Sequence, residues 1–313
     1  MDINATILAV IARVTAPILL CASGGIYSEL SGAPNITLEG AMLFASFTGV
    51  VGSYYFNSSI AGILFGVLGG VLVNAFFGFL HLKLEGDATV TAFAINTLCL
   101  GMTTFLLRSI FHTSGTLIDS RIVGLKPFSI PLLKNIPVLG QLFTSQPFTI
   151  YFSWIFIAFT YMLIYKTQFG MNIRACGENP SAASSVGIQV MRIRWICVLI
   201  TGVLCGLAGV QLSLGYLTMF SENMTAGRGF IAIAAILLAK GKPLGVLAAS
   251  VLFGISETFS NQVQLLNISS YIVLMIPYLA VVIILLLQPE QLNELRLRLM
   301  SMHSNRHSTN KSD

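Results

Sequence analysis

The most distinctive polar residues of this sequence lie in one loop, Lys166–Ile188, which reads KTQFGMNIRACGENPSAASSVGI. Asn179 followed by Pro180 predicts the start of a helix, because an Asn side chain caps the first turn and Pro fits the first helical position. The helix should run through Ala182–Val186 and end near Gly187, since Gly is common just after helix C-termini. Such a helix is either ordinary loop structure or a docking element for a partner protein.

Single polar or aromatic residues in or beside the apolar runs are the other candidates for function. A polar side chain is costly in lipid, so it faces a cavity, a partner or a neighbouring helix. Seven residues are candidates for lining a substrate path: Asn35, Glu39, Asn74, Asn96, Gln211, Phe220 and Glu257. Aromatic rings would suit the face of a sugar or a nucleobase, but Phe is too frequent in this sequence for one ring to be singled out.

Three of these candidates have structural alternatives within their own surroundings. The carboxylate of Glu39 would be stabilised by the dipole at the N-terminus of its helix, with Asn35 as the N-cap. Asn74 and Asn96 would hydrogen-bond a neighbouring helix instead of a hydroxylated ligand.

Two charges near the last apolar runs have local explanations. Glu257 should lie near the outer end of its run, where its carboxylate would meet water rather than a path. Arg228 begins a short apolar segment beside Glu222. We therefore expect a local salt bridge, with Glu222 as the nearby acid, or another structural role for Arg228 rather than a contact with substrate.

The sequence shows none of the patterns that are typical of an active site. It contains no HExxH or GxSxG motif and no pair of carboxylates on one helical face. The segment Gly241–Gly245 (GKPLG) lacks the glycine spacing and the Lys-Ser/Thr pair of a Walker A motif, so no ATP site is predicted. The cysteines have neither disulfide-framework nor metal-ligand spacing: Cys21, Cys99, Cys176, Cys197 and Cys205. We predict free thiols and no catalytic residue, metal or cofactor in this chain.

The composition is that of a membrane protein. Hydrophobic residues make up 55% of the 313 residues and charged residues only 9%, and the mean hydropathy is +0.83. A soluble domain has about 25% charged residues, so a soluble enzyme, a disordered protein and a nucleic-acid binder are excluded. Nine apolar runs predict an all-α, polytopic membrane protein: Ala5–Ser23, Leu38–Phe56, Ile60–Leu80, Ala88–Leu107, Phe148–Tyr165, Trp195–Leu214, Gly229–Ala239, Leu244–Phe259 and Tyr271–Leu287.

Two of these runs adjoin irregular segments. A break at Gly24–Pro34 separates the first two runs, and Ser221–Gly227 precedes the short run Gly229–Ala239. Irregular backbone at membrane depth requires shelter by protein or by a water-filled cavity. We therefore predict a broken helix over residues 24–40, which leaves nine spans if it is re-entrant and gives ten if it crosses the bilayer.

The placement of Lys and Arg predicts the orientation. The loop of residues 166–194, the turn at Lys240–Lys242 and the tail after Gln288 are basic and fall on one side, which should be cytoplasmic. Nine crossings then put the N-terminus outside and the C-terminus inside the cytoplasmic membrane of a prokaryote. Residues 1–290 would form the transmembrane domain and residues 291–313 a cytoplasmic tail.

Two apolar segments suggest an internal repeat. Ile60–Phe76 and Pro243–Phe259 are similar in sequence, and the predicted topology makes them run in opposite directions. An inverted repeat of this kind is common in transporters. Chance similarity between apolar helices rich in small residues is the alternative.

Three segments resemble permeases of the branched-chain amino acid, ribose and simple-sugar family of ABC importers. Lys166–Ile188 matches the family pattern T-x-FG-x-x-x-RA-x-GENP-x-AA-x-x-x-GI. Gly24–Gly40 resembles GG-x-x-SE-x-SG-x-x-NIGLEG, with Thr37 where the family usually has Gly, and Gly227–Ala235 resembles GRGFIALAA. The likeness extends from Gly24 to about Phe259 and is closest to the subgroup that carries nucleosides or simple sugars.

The resemblance implies a transport subunit rather than an enzyme. Permeases of this family pair as two identical or related subunits, with a twin-domain cytoplasmic ATPase below and a substrate-binding protein, often a lipoprotein, above. ATP and Mg²⁺ would be bound by that ATPase, and contact with it would involve Arg174, Gly177, Glu178, Asn179, Pro180, Ala182 and Ala183. A nucleoside is the first expected cargo and a simple sugar the second. A stand-alone, ion-coupled secondary transporter is the alternative function.

Overall fold

The computed structural model of the protein describes residues 3–128 and 146–264. The chain is mostly helical in these ranges, as predicted. Two of the helices continue as π-helix, α3 into Phe79–Lys83 and α8 into Gln211–Leu217. The α-helices are α1 Ile3–Leu30, α2 Leu38–Phe56, α3 Ser59–Gly78, α4 Ala88–Phe111, α5 Phe148–Lys166, α6 Gln168–Glu178, α7 Pro180–Ser185, α8 Val190–Val210, α9 Arg228–Leu238 and α10 Pro243–Gln264.

The part of the chain that the structure describes contains four strands of two residues each, which join distant loops. Strand β1, Thr116–Leu117, pairs antiparallel with β4, Phe220–Ser221. Strand β2, Pro127–Phe128, pairs antiparallel with β3, Gln146–Pro147. The first ladder therefore ties the segment after α4 to the segment that leads into α9.

Helix α8 packs against α1, α2 and α3. Small residues make this possible, because a Cβ on Gly70 would come within 2.4 Å of the Gly202 carbonyl oxygen and one on Gly206 within 2.6 Å of the Val67 Cα. Glycine allows helix backbones to approach closely where lipid supplies no hydrophobic drive for association. The small residues of α8 thus serve close helix packing.

The break between the first two helices is shorter than predicted. Helix α1 continues through Gly24 and Gly25 to Leu30, and the irregular backbone covers only residues 31–37. The two glycines are packing sites: a Cβ on Gly24 would lie 3.0 Å from the Leu204 Cβ, and one on Gly25 would lie 2.4 Å from the Ile236 Cδ1. Gly24 and Gly25 therefore allow α1 to pack closely against other helices, and they do not end it.

Six helices in the described ranges are long and apolar enough to span a membrane: α1, α3, α4, α5, α8 and α10. Helix α2 is largely buried inside the chain, and α9 has only 11 residues. The run Tyr271–Leu287 and the tail 291–313 lie outside the described residues, so the count of nine spans stays a prediction. By contacts the chain divides into two units, Met1–Thr258 and Phe259–Asp313, and the sites below lie within the first.

Candidate functional site

Asparagine side chains hold the break between α1 and α2. The Asn35 Nδ2 donates to the Asn74 Oδ1 of α3 over 2.6 Å. The Asn35 Oδ1 accepts from the Thr37 backbone N over 2.9 Å and from the Thr37 Oγ1. The prediction that Asn35 is the N-cap of α2 is wrong, because Thr37 occupies that position and makes no side-chain cap hydrogen bond.

Asn96 of α4 also hydrogen-bonds the backbone around the start of α2. Its Oδ1 accepts from the Gly40 backbone N over 2.9 Å, and its Nδ2 donates to the Ile36 carbonyl oxygen over 3.0 Å. The first bond satisfies one of the N–H groups that a helix start leaves open, and the second satisfies a carbonyl group of the break. An open backbone group in a bilayer costs several kcal/mol. Asn74 and Asn96 thus hydrogen-bond neighbouring elements in this structure.

Glu39 joins α2 to the N-terminus of α9. Its carboxylate accepts from the Thr225 Oγ1 at 2.6 Å, the Gly227 N at 2.9 Å and the Gly229 N at 2.6 Å. The residue is only 8% exposed. A helix N-terminus favours a negative charge. The Glu39 carboxylate is therefore stabilised by the N-terminus of α9 as well as by the first turn of its own helix, α2.

The backbone around Glu39 is close-packed. A Cβ on Gly229 would lie 2.5 Å from both the Cα and the N of Glu39, so only glycine allows α9 to begin here. Gly227 has φ +84°, a conformation that favours glycine. The Gly-Arg-Gly segment of residues 227–229 therefore has the backbone shape that allows close approach to Glu39, and its N–H groups donate to the Glu39 carboxylate.

Arg228 pairs with a different acid from the one predicted. Its Nη2 contacts the Glu257 Oε1 of α10, and its Nη1 donates to the Met224 carbonyl oxygen over 3.0 Å. Glu222 contacts Arg108 instead, at 3.5 Å. The expectation that Glu257 meets water is also wrong, since the residue is buried.

We expect substitution of Arg228 alone to destabilise the chain much more than simultaneous substitution of Arg228 and Glu257. Arg228→Ala leaves a buried carboxylate without its partner, which costs about 3–5 kcal/mol. Arg228→Met combined with Glu257→Leu removes both charges and should recover most of that loss. The measurement is thermal unfolding of the purified chain in detergent. Arg108→Ala breaks the exposed Glu222 pair and is the control, with a loss below about 1 kcal/mol.

The loop Lys166–Ile188 contains two helices rather than one. The predicted helix start is confirmed, because the Asn179 Oδ1 accepts from the Ala182 N over 3.0 Å and Pro180 is the first residue of α7. Gly187 follows α7 with φ +87°. Ala183 is buried, and the rest of α7 is exposed, so α7 presents a free surface.

Helix α6 was not predicted from its Gly-rich and Asn-containing sequence. Thr167 begins it, since its Oγ1 accepts from the Gly170 N over 3.2 Å. The Arg174 guanidinium lies 5.3 Å from the centre of the Tyr165 ring. Cys176 is buried in this helix, and burial raises the pKa of its thiol above the usual value. The packing of α6 on α5 compensates for its weak helix propensity.

The end of α1 is the meeting point of α6 and the break. A Cβ on Gly177 would lie 2.1 Å from the Leu30 carbonyl oxygen and 3.2 Å from the Gly32 N. Arg194 of α8 donates from its Nε to the Ser31 carbonyl oxygen over 3.1 Å. Helix α6 therefore approaches the break backbone to backbone, without a flexible side chain between them.

Gln211 and Phe220 make a separate set of contacts. The Gln211 Oε1 accepts from the Thr149 Oγ1 of α5, and both residues are buried. The Phe220 ring packs edge-on against Phe47 at 5.1 Å between centroids, in a hydrophobic cluster that also contains Leu117. In this arrangement Phe220 fills space within the chain.

The structure brings Asn35, Glu39, Asn74 and Asn96 together around the start of α2. The sequence did not predict Thr225, Gly227 and Gly229 as partners of Glu39. It also did not predict the contacts of Gly177 and Arg194 with the end of α1. The family-like GRG segment was the signal for the first group. Over residues 3–128 and 146–264, no group of His, Cys, Asp or Glu side chains is arranged to hold a metal ion.

Comparison with known proteins bears on what this arrangement does. The family of branched-chain amino acid transport system permease components matches residues 7–286. The guanosine ABC transporter permease protein NupQ of Bacillus subtilis is 35% identical over 281 residues, which cover 86% of this chain and 88% of that protein. The nucleoside ABC transporter permease protein NupC of Lactococcus lactis is 34% identical over 287 residues, which cover 87% and 88% of the two chains.

A solved structure supports the fold. PsaBC from Streptococcus pneumoniae in complex with Fab matches with a TM-score of 0.52, and the match covers 94% of each chain. The two sequences are 13% identical, so this likeness concerns the fold alone.

Proposed function

This chain belongs to the permease component family of branched-chain amino acid transport systems, and from that membership we propose that it forms the translocation path of an ATP-driven nucleoside importer. It is a permease subunit of an ABC transporter, so the ion-coupled secondary transporter is not favoured. The cargo proposal rests on the guanosine and nucleoside permeases that are 35% and 34% identical. A permease of Haloferax volcanii with a putative glucose assignment is 28% identical, which makes a simple sugar the second candidate.

The energy source and the other subunits belong to partner chains in this proposal. A twin-domain cytoplasmic ATPase would bind ATP and Mg²⁺, and a substrate-binding lipoprotein would deliver the cargo from outside. A second permease subunit, identical or related, would complete the path in the lipid bilayer. The presence of two Lactococcus lactis nucleoside permeases, NupB and NupC, among the relatives supports a pair of related subunits.

The ATPase would act on the exposed surface of α7. The proposed contact comprises Arg174, Gly177, Glu178, Asn179, Pro180 and Ala182, whereas Ala183, also predicted, is buried and would support this surface from within. The single observation that carries this role is the backbone contact of Gly177 with Leu30 at the end of α1. A push on α7 would move α6, displace Leu30 and Gly32, and so change the break that precedes α2.

The path would pass beside the polar residues around that break. Movement of residues 31–37 changes the hydrogen bonds of Asn35 with Asn74 and of Gly40 with Asn96. Glu39 is in the first turn of the same helix and carries the movement to the N-terminus of α9. Gln211, Phe220 and Glu257 remain proposed path residues whose contacts would be exchanged during the cycle.

The proposed orientation follows from the basic residues. The loop 166–194 and the turn Lys240–Lys242 would face the cytoplasm. The C-terminus would then be cytoplasmic, in the inner membrane of a prokaryote. The C-terminal ends of α2 and α4, at Phe56 and Phe111, would face the binding lipoprotein on the other side of the membrane.

The cargo is tested by uptake into cells that express the complete transporter. Tritiated guanosine is supplied with an excess of unlabelled inosine, ribose, glucose or leucine. We expect inosine to suppress uptake and the other three to leave it unchanged. Suppression by glucose alone, or no guanosine uptake above that of cells lacking the permease, would contradict a nucleoside cargo.

Glu178→Ala is expected to reduce ATP-driven uptake without unfolding the chain. Glu178 is the exposed last residue of α6, so its loss removes a docking contact and not a buried one. The measurement is uptake per copy of permease together with co-purification of the ATPase. Glu85→Ala, at another exposed acid, is the control. Equal uptake by both variants would show that Glu178 makes no docking contact with the ATPase.

A further inference from the structure

The end of α2 that is farthest from the break carries a cavity, which is separate from the polar contacts around the break. Its volume is about 620 Å³, which lies in the range of small-molecule sites. Its walls come from the last turns of α2 and α4 and from the segment after α4. The main lining residues are Tyr54, Tyr55, Asn57, Phe111, Asp119 and Arg121.

One wall of the cavity is aromatic. The Tyr54 ring contacts Tyr55 at 5.3 Å and Phe111 at 5.0 Å between centroids, both edge to face. Tyr55 is 62% exposed, so part of its ring is free to receive a planar group. Stacking of a nucleobase on an aromatic side chain contributes about 1–3 kcal/mol.

A charge pair lies beside the aromatic wall. The Arg121 Nε and Nη2 each donate to the Asp119 carboxylate over 3.1 Å. The guanidinium also lies 4.0 Å from the centre of the Tyr54 ring. These hydrogen bonds hold the pKa of Asp119 below its usual value, so the carboxylate is ionised at neutral pH. Its remaining lone pairs can accept from hydroxyl or N–H donors.

The floor of the cavity is tied to the segment that Glu39 holds. Leu117 lines the cavity and pairs with Phe220 in the β1–β4 ladder. The Glu222 N donates to the Gly115 carbonyl oxygen over 2.8 Å. Strand β4 then leads within a few residues to Thr225, one of the donors to Glu39. A ligand in the cavity would therefore contact β1, which is paired with the chain segment that leads to α9.

We propose that this cavity is an external nucleoside site, in which the base stacks on Tyr55 and the ribose hydroxyls or base N–H groups donate to Asp119. The proposal rests on the proposed function, from which the cargo class is taken. Helix α2 has 19 residues and rises by about 1.5 Å per residue. The site thus lies roughly 25 Å from the break, at the proposed extracytoplasmic end.

Direct binding to the full-length chain in nanodiscs tests this site, without ATPase or binding protein. Tritiated guanosine is titrated by scintillation proximity. We expect Tyr55→Ala to weaken binding at least about fivefold, and Tyr55→Phe to bind like the parent. Phe56→Ala is the matched control, because Phe56 is also 62% exposed and its ring packs against Phe65 instead.

A second measurement is independent of how the variants fold. Azidoguanosine is photolysed with the parent chain, and the labelled peptides are identified by mass spectrometry. We expect the label on Tyr54–Asn57 or on residues 110–121, with loss of label when excess guanosine is present. Labelling confined to other segments would overturn the site.

The outcomes separate this site from the proposed function. If the complete transporter imports guanosine but the chain alone shows no saturable binding, or Tyr55→Ala binds as tightly as Phe56→Ala, the external site is wrong and the function stands. If glucose or ribose binds in a Tyr55-dependent way and guanosine does not, the nucleoside site is wrong together with the cargo.

Discussion

Gly177→Ala is expected to lower ATP-driven uptake roughly tenfold while the chain still inserts and folds. The new Cβ would lie 2.1 Å from the Leu30 carbonyl oxygen and 3.0 Å from the Leu30 carbonyl carbon. Both are backbone atoms, so α6 itself must shift. Overpacking of this kind costs about 1–3 kcal/mol, and the shift falls on the contact that would carry motion from α7 to the break.

The matched control for this substitution is Gly101→Ala in α4. A Cβ at Gly101 would have no atom within 4 Å, so the same chemical change meets open space. Uptake is measured per copy of folded permease, and ATP hydrolysis by the complex is measured alongside. Full uptake by Gly177→Ala would show that the contact between α6 and α1 transmits nothing.

Glu39→Ala is expected to destabilise the chain more than any other acidic substitution proposed above. It removes the acceptor of the Thr225 hydroxyl and of the Gly227 and Gly229 backbone N–H groups. Each buried donor left without a partner costs about 1–3 kcal/mol, and the N-terminus of α9 loses its compensating charge. Glu39→Gln keeps one acceptor oxygen and should lie between the parent and Glu39→Ala.

Yield of monodisperse protein and thermal unfolding in detergent measure this effect. Glu85→Gln is the control for loss of an acid, because Glu85 is exposed. We expect Glu85→Gln to unfold like the parent and Glu39→Ala to give little folded protein. Equal unfolding temperatures for Glu39→Ala and Glu85→Gln would mean that the carboxylate does not hold α9.

Local features of this protein could be predicted from sequence because they depend on neighbouring residues. Asn179 and Pro180 indicate the start of α7 by cap chemistry that is confined to residues 179–182. The apolar runs likewise predict most of the helices, since the length and hydropathy of a run do not depend on what packs against it.

The partners of the buried polar residues could not be predicted in the same way. Glu39 and Thr225 are 186 residues apart, and nothing in the sequence around either residue identifies the other as its partner. Arg228 has an acid nearby in sequence, Glu222, but the fold brings Glu257 to it. Gly24 and Gly25 have the composition of a break, yet their role is to let α1 approach other helices.

Uptake into proteoliposomes that contain this permease, its partner subunit and the ATPase tests the central claim most directly. Tritiated guanosine and the binding lipoprotein are supplied on one side and ATP with Mg²⁺ on the other, in the absence of any ion gradient. Import of guanosine that requires both ATP and the binding lipoprotein is the predicted result. Accumulation driven by a proton or sodium gradient without ATP, or ATP hydrolysis that moves no guanosine, would contradict it.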